Sequence, residues 1–233
     1  MNREELLKIA KPILFNTEMV QAILEGRKSV TRRVVKYYNR TPQMNGKDKF
    51  NRIDENLNGN NPNRLYAGFY NDNDIFYIDG EKHIDGIYYP LYFKVGDILY
   101  VRETWQCINP YSDKEYVYKA SCDKDYASDI GKWLPSIHMP KKIARIFLKV
   151  TDVRVERVQD ITEEQAIKEG VGNLFLDYIA NYPGDKYKVS MEHETLAIDQ
   201  FELLWDSINK KRGYGWNANP WVWTIEFERV KEG

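Results

Sequence analysis

The sequence predicts an α+β protein: short strands arranged around a small barrel, flanked by two or three short helices and interrupted by long loop insertions. Three observations predict it. Met19, Val20, Ile23 and Leu24 recur at helical spacing, as do Ala197, Phe201, Leu204, Trp205 and Ile208. Trp221, Trp223, Ile225 and Phe227 alternate with Val222, Thr224, Glu226 and Glu228, the pattern of a closing strand with one buried face. Between them, Ile146, Leu148 and Val150 share one parity while Val153 and Val155 take the other. That change predicts a bulge or bend near Thr151-Asp152, a device that turns a barrel corner.

Taken in order, Asn2 to Ala10 suits a short helix and Lys11 to Phe15 a brief strand. Asn16 or Thr17 offers an N-cap for the helix through Leu24, and Gly26 supplies its stop. Lys28 to Val35 is rich in β-branched residues and reads as a strand leaving that helix directly. Residues 36 to 64, heavy in Asn, Lys, Gly and Pro, read as a long surface loop. Leu65–Tyr70 and Ile75–Ile78 read as a hairpin joined by Asn71-Asp72-Asn73-Asp74, followed by strands at Ile87–Phe93, Ile98–Arg102 and Tyr116–Lys119. Ser121 to Pro140 reads as irregular, and Ile143 to Val158 as the longest strand. Thr162 and Gln165 match a capping box for a short helix ended by Gly170. Asn173 to Ser190 reads as a second irregular stretch, before a helix from about Glu194 to Asn209. The whole is one domain over 1–233, with insertions at about 36–95 and 172–192.

Composition narrows the function. The chain has 233 residues, 42% hydrophobic and 30% charged, with a mean hydropathy of -0.63, which excludes a largely disordered or fibrous chain. No run approaches a membrane span, the N-terminus lacks a secretory apolar core, and a cytoplasmic protein is expected. Cys107 and Cys122 make no CxxC pair, and His83, His138 and His193 make no HExxH, so no metal and no cofactor is expected. From Arg27 to Arg52 nine basic residues face only Asp48, a local charge of +8 in a chain of net charge -1. Such an excess suits a phosphate backbone or an anionic ligand, or a solvated loop balanced by acidic neighbours.

The junction Gly26-Arg27-Lys28-Ser29-Val30-Thr31-Arg32-Arg33 carries the most chemistry. It puts cations and hydroxyls together at one sheet edge. Crowded by Arg27, Arg32 and Arg33, a partly buried Lys28 would lose its proton more readily and serve as base toward the Thr31 hydroxyl. The other reading is an exposed polar strand edge. Arg102, Glu103 and Trp105 follow an apolar strand and are placed either at a barrel mouth, with Trp105 stacking on a base, or in a core with a salt bridge. Arg145 opens the long strand and has two readings, a phosphate contact or a carboxylate partner. The Arg212–Pro220 loop has the glycine and aromatic content of a lid or of a simple corner.

The series from Phe15 through Ile23-Leu24-Glu25-Gly26-Arg27-Lys28-Ser29-Val30-Thr31-Arg32-Arg33, then Gly96-Asp97-Ile98-Leu99, then Asp160 to Gly170, resembles the ASCH domain. The strand from Trp221 to Phe227 fits it too. More narrowly, Lys11–Asn16, Gly96–Trp105, Pro135–Lys141 and Arg212–Trp223 resemble the longer ASCH-type proteins of phages and prophages. The resemblance implies a PUA-like barrel, a fold shared with modules that bind RNA or read modified bases. Among ASCH proteins it is similar to the small bacterial N4-acetylcytidine amidohydrolases, whose lysine, threonine and glutamate fall on Lys28, Thr31 and Glu169. It then implies Thr31 as nucleophile, Lys28 as its base and Glu169 as proton donor or orienting acid. Arg27, Ser29, Arg32 and Arg33 of the junction are candidate contacts to the ligand or nucleic acid. Ser29 stands where that family has threonine, and the stretch from Lys36 to Val95 is an insertion. The expected partner is a nucleoside or RNA, or else DNA. The alternatives to hydrolysis are a non-catalytic nucleic-acid-binding module, a ribonuclease, or a phage interaction protein without a small-molecule site.

Overall fold

The computed structural model describes residues 1–35, 91–108, 115–171 and 197–231 in full, and the backbone of five strands lying between 49 and 90. The chain is α+β. Helix α1 (Arg3–Ile9) starts from Asn2, whose side chain accepts the Glu5 N–H while Glu5 caps Asn2 in return. Strand β1 (Lys11–Leu14) and helix α2 (Thr17–Leu24, capped by Asn16) follow. Strand β2 (Val30–Val34) leaves the α2 turn as the β-branched run requires.

Strands β3 (Lys49–Asp54), β4 (Leu65–Tyr70), β5 (Ile75–Ile78), β6 (Glu81–Ile84) and β7 (Ile87–Leu91) form two small sheets, ordered β3-β4-β7 and β5-β6. Two expectations are corrected here. The stretch read as loop contains β3, whose register shift between Phe50 and Arg52 breaks the period-two pattern that would reveal a strand. The expected β4–β5 hairpin is replaced by β5 pairing with β6. In the sequence Asp79-Gly80 separates the paired ends Ile78 and Glu81, a stronger two-residue turn signal than Asn71-Asp72-Asn73-Asp74.

The main sheet uses β8 (Ile98–Arg102), β11 (Phe147–Arg157) and β12 (Trp221–Val230) in the order β1-β8-β11-β12-β2. All its neighbours are antiparallel except β1 and β8. Strands β9 (Trp105–Cys107) and β10 (Tyr116–Tyr118) pair beside it. Helix α3 (Lys124–Asp129), capped by Asp123, occupies the stretch expected to be irregular; it buries no residue, so no apolar stripe marked it. Helix α4 (Glu163–Lys168) begins at the Thr162–Gln165 capping box, and α5 (Ala197–Asn209) precedes β12. The irregular reading of 173–190 lies outside the described residues.

The β11 bulge falls between Val150 and Asp152, as the parity change requires. It turns Ile146, Leu148, Val150, Val153 and Val155 into one core with Ile13, Val101, Trp223 and Ile225. The opposite face holds two smaller cores. Leu6, Tyr100 and Phe147 form one under α1; Ala166, Phe201, Trp205 and Val222 form the other under α4 and α5. The barrel itself is corrected: among the described strands the sheet stays open, with β1 and β2 as its edges. Pro12 in β1 has no N–H for a further strand. A single Arg33 guanidinium, donating to the Leu14 carbonyl at 2.6 Å, ties the two edges together.

Gly170 fixes how α4 meets α2. It sits at φ 85, and a Cβ there would lie 2.8 Å from the Ala22 Cβ and 2.9 Å from the Lys28 Cβ. Gly170→Ala therefore combines left-handed strain with overpacking, and a loss on the order of 3 kcal/mol is expected in urea unfolding. A change within half a kilocalorie (about the noise between surface variants) would show that the two helix ends are not held in this contact.

Candidate active site

Helices α2 and α4 both finish in a left-handed glycine, Gly26 and Gly170, and their ends converge on the start of β2. The Arg27 and Lys28 N–H groups both donate to the Ala22 carbonyl, and the Ser29 N–H donates to the Lys168 carbonyl. Lys28 and Glu169 form an isolated antiparallel bridge. The Arg27 guanidinium spans the same joint, from Glu25 to the Gly170 carbonyl at 2.7 Å. Its positive charge suits a helix C-terminus.

Inside this joint the Lys28 ammonium is wholly buried. Nζ donates to the Val30 carbonyl at 2.7 Å, the Glu169 carbonyl at 2.8 Å and Glu169 Oε2 at 2.6 Å. Three hydrogens meet three acceptors. Burial pushes the lysine below its ordinary pKa; the Glu169 carboxylate opposes that, while Arg33 and Arg32 reinforce it. Glu169, 3% exposed at its side chain, also accepts from Arg32 through Oε1 at 3.2 Å. Arg32 continues to the Gln165 side chain at 2.6 Å and to Glu156 at 3.2 Å. Glu156 in turn accepts from Thr224 and Arg154. The sequence thus supplies a charge relay from the buried junction out across β2, β12 and β11. The reading of this segment as an exposed polar edge is overturned, since Lys28, Thr31 and Arg32 are all buried.

A cavity of about 320 Å³ lies against this edge, roofed by α5. A volume of this size is at the small end for ligand sites. Thr31, Arg32, Arg33 and Glu169 contribute its polar wall, and Trp223, Phe201, Trp205 and Leu204 its apolar one. Thr31 makes no hydrogen bond from its hydroxyl among the described residues, including none to Lys28. The Arg32 Nε–H is buried without an acceptor. Strand alternation adds backbone groups. The Val35 N–H donates to Trp221 and the Phe227 N–H to Ser29, so odd-numbered residues of β2 face β12. The N–H and C=O groups of Arg32 and Val34 point off the sheet edge that bounds the cavity.

Of the expected site residues, Lys28, Thr31, Glu169, Arg32 and Arg33 are gathered here, with Arg27 and Ser29 at the joint beside them. Arg102, Glu103, Trp105 and Arg145 lie apart. Arg145 grips the buried Glu103 with two bonds of 2.9 and 2.8 Å, reaches Ser121, and lies over the Tyr118 ring. Trp105 packs in the core under α1 against Tyr116, and Arg102 donates to the Ile137 carbonyl. Trp105 thus shows the core reading and Glu103 with Arg145 the carboxylate pairing, whereas Arg102 is held by a backbone carbonyl. Sequence reasoning assigned the α5 face to core alone and missed Arg212 at the cavity rim. The Arg212–Pro220 loop was the signal for it. Among the described residues no cluster of His, Cys, Asp and Glu suits a metal, and no helix is long and apolar enough to cross a membrane.

No family model, curated protein or solved structure matches this chain.

Two predictions follow from the relay. Lys28→Met leaves the buried Glu169 carboxylate with Arg32 alone and two carbonyls without their donor, at a cost of about 3–5 kcal/mol. Adding Glu169→Leu removes that under-compensated charge, while Arg32 keeps Glu156, so the double variant should be more stable than Lys28→Met alone. Denaturation of the four proteins in this cycle reads the coupling, and simple additivity would refute it. For Glu156, burial opposes the charge, but Arg154, Arg32 and Thr224 together hold its carboxyl below the usual range. A depressed folded value means stability that is present above the carboxylate range and drains away as pH falls through it. Glu156→Gln should therefore flatten the acid limb of a stability–pH profile, and an unchanged limb would place the acid sensitivity elsewhere.

Proposed function

We propose that this chain is a PUA-like ASCH protein that takes the base of a modified nucleoside into the cavity beneath α5 and hydrolyses an N-acyl group on it. N4-acetylcytidine is the type of substrate. The observation that carries this reading is the convergence of Thr31 and Glu169 on one cavity, with Lys28 holding the carboxylate at 2.6 Å. These are the three positions on which the resemblance to the amidohydrolases turns. The apolar lining suits the ring of a base, and the β2 edge offers donors and acceptors for its rim.

The geometry redistributes the roles. Lys28 has given its three hydrogens to three acceptors, so it serves to fix Glu169 rather than to take a proton. Thr31 Oγ1 attacks the acyl carbon, and Glu169 accepts the hydroxyl proton. The C–N bond then breaks, Glu169 returns the proton to the leaving amine, and water hydrolyses the acyl-threonine ester to free acid. The ready-made polar wall lowers the reorganisation needed for each step.

One observation favours a second reading, a non-catalytic module that binds a nucleoside or nucleic acid: among the described residues the Thr31 hydroxyl bonds neither Glu169 nor Lys28, and both Glu169 oxygens are already engaged. A panel of N4-acylated cytidines separates the two. Wild type should release the carboxylic acid. Thr31→Ala should lose at least about a thousandfold in kcat while still quenching tryptophan fluorescence on binding, and Glu169→Gln should behave alike. Binding without acid release by wild type would leave the module and remove the enzyme.

A further inference from the structure

We infer that the ligand of this cavity is a nucleoside monophosphate, with its phosphate held by Arg33 and Arg212. The inference rests on the nucleobase reading above. It starts from the charge on the cavity wall. Of the four ionised side chains there, Glu169 is neutralised by Lys28 and Arg32, and Arg32 is further matched by Glu156. Arg33 and Arg212 are not matched. Arg33 gives a hydrogen bond only to the neutral Leu14 carbonyl and lies over the Phe15 ring at 5.2 Å. Arg212 is exposed and has no carboxylate among the described residues. Among the described residues, two guanidinium groups at one cavity therefore have no ion pair of their own.

A natural complement is a phosphate monoester, which carries about −1.5 to −2 charge at neutral pH and accepts forked guanidinium bonds. Burial lowers the Arg33 pKa and the Glu169 carboxylate only partly opposes that, so an added anion would further favour the charged guanidinium. A cavity of about 320 Å³ is of the size that takes one small ligand. The polar groups along β2 then divide by position. Thr31 and the outward backbone of Arg32 and Val34 meet the base, while Arg33 and Arg212 meet the phosphate.

The test compares N4-acetylcytidine and the four ordinary ribonucleosides with their 5′-monophosphates, by tryptophan quenching and calorimetry at low salt. Wild type, Arg212→Gln and Arg33→Lys are used, and their folding is checked by thermal melting. At least one monophosphate should bind about tenfold tighter than its nucleoside, with an advantage that shrinks as salt rises. Arg212→Gln, a change at an exposed position, should erase most of that advantage and leave nucleoside affinity as it was. Inorganic phosphate should compete with the nucleotide only.

Equal binding of a nucleoside and its monophosphate overturns the phosphate site and spares the nucleobase reading. Retention of the full advantage in both arginine variants overturns the assignment to these residues. Tighter binding of a ten-nucleotide RNA than of any mononucleotide overturns the single-nucleotide ligand. If no nucleoside or nucleotide binds, the nucleobase reading falls and this inference falls with it.

Discussion

A single buried ammonium governs the centre of this molecule. Taking the Lys28 charge out of water costs several kcal/mol, and only acceptors of good geometry offset it. Those acceptors come from two places: the Val30 carbonyl on β2, and both the carbonyl and the carboxylate of Glu169 at the end of α4. The lysine therefore fixes the helix to the strand. Gly170 must lack a side chain for the approach to occur, and Gly26 must turn left-handed to bring Lys28 inward. Each local feature of the Gly26–Thr31 segment serves that one burial.

The consequence is an uneven distribution of charge. From Lys28 the relay passes through Glu169, Arg32 and Glu156 to Arg154, which also bonds Asp152 and Glu226. Positive and negative groups alternate along it, so the interior side of the cavity is close to neutral. Its two unmatched cations, Arg33 and Arg212, carry the net charge. An anionic ligand sees attraction there without having to break an ion pair first.

Much of the frame was legible because it obeys short-range rules. The α2 stop at Gly26, the Thr162–Gln165 box and the parity change at the β11 bulge all appear where spacing places them. What escaped has physical reasons. Strand β3 hides behind its own bulge, and α3 has no buried stripe. Closure of the sheet depends on which edges meet in space, and here the tie between them is a side chain of Arg33, invisible to periodicity. At the site, residue types in the junction pointed to Lys28, Thr31 and Arg32 together, but not to their wiring. Glu169 lies 141 positions from Lys28, and only the fold shows that it consumes the lysine's hydrogens. Arg212 was unread because its neighbour in the cavity, Arg33, is supplied by a distant strand.

The cavity's unsatisfied groups say most about what fills it. A buried donor without an acceptor costs about 1–3 kcal/mol, so such groups are rarely left idle in a folded protein. Here the buried Arg32 Nε–H has no acceptor, the Thr31 hydroxyl makes no hydrogen bond among the described residues, and the backbone groups of Arg32 and Val34 point away from β12. All four belong to one strand edge, while the facing wall is Phe201, Leu204 and Trp205. A lipid would leave the edge unpaired. An extended peptide would pair with it but needs a groove open at both ends, longer than a volume of about 320 Å³ provides. A planar ring with hydrogen-bonding rim and apolar faces satisfies both walls at once, and this is what favours the proposed nucleobase over the other two.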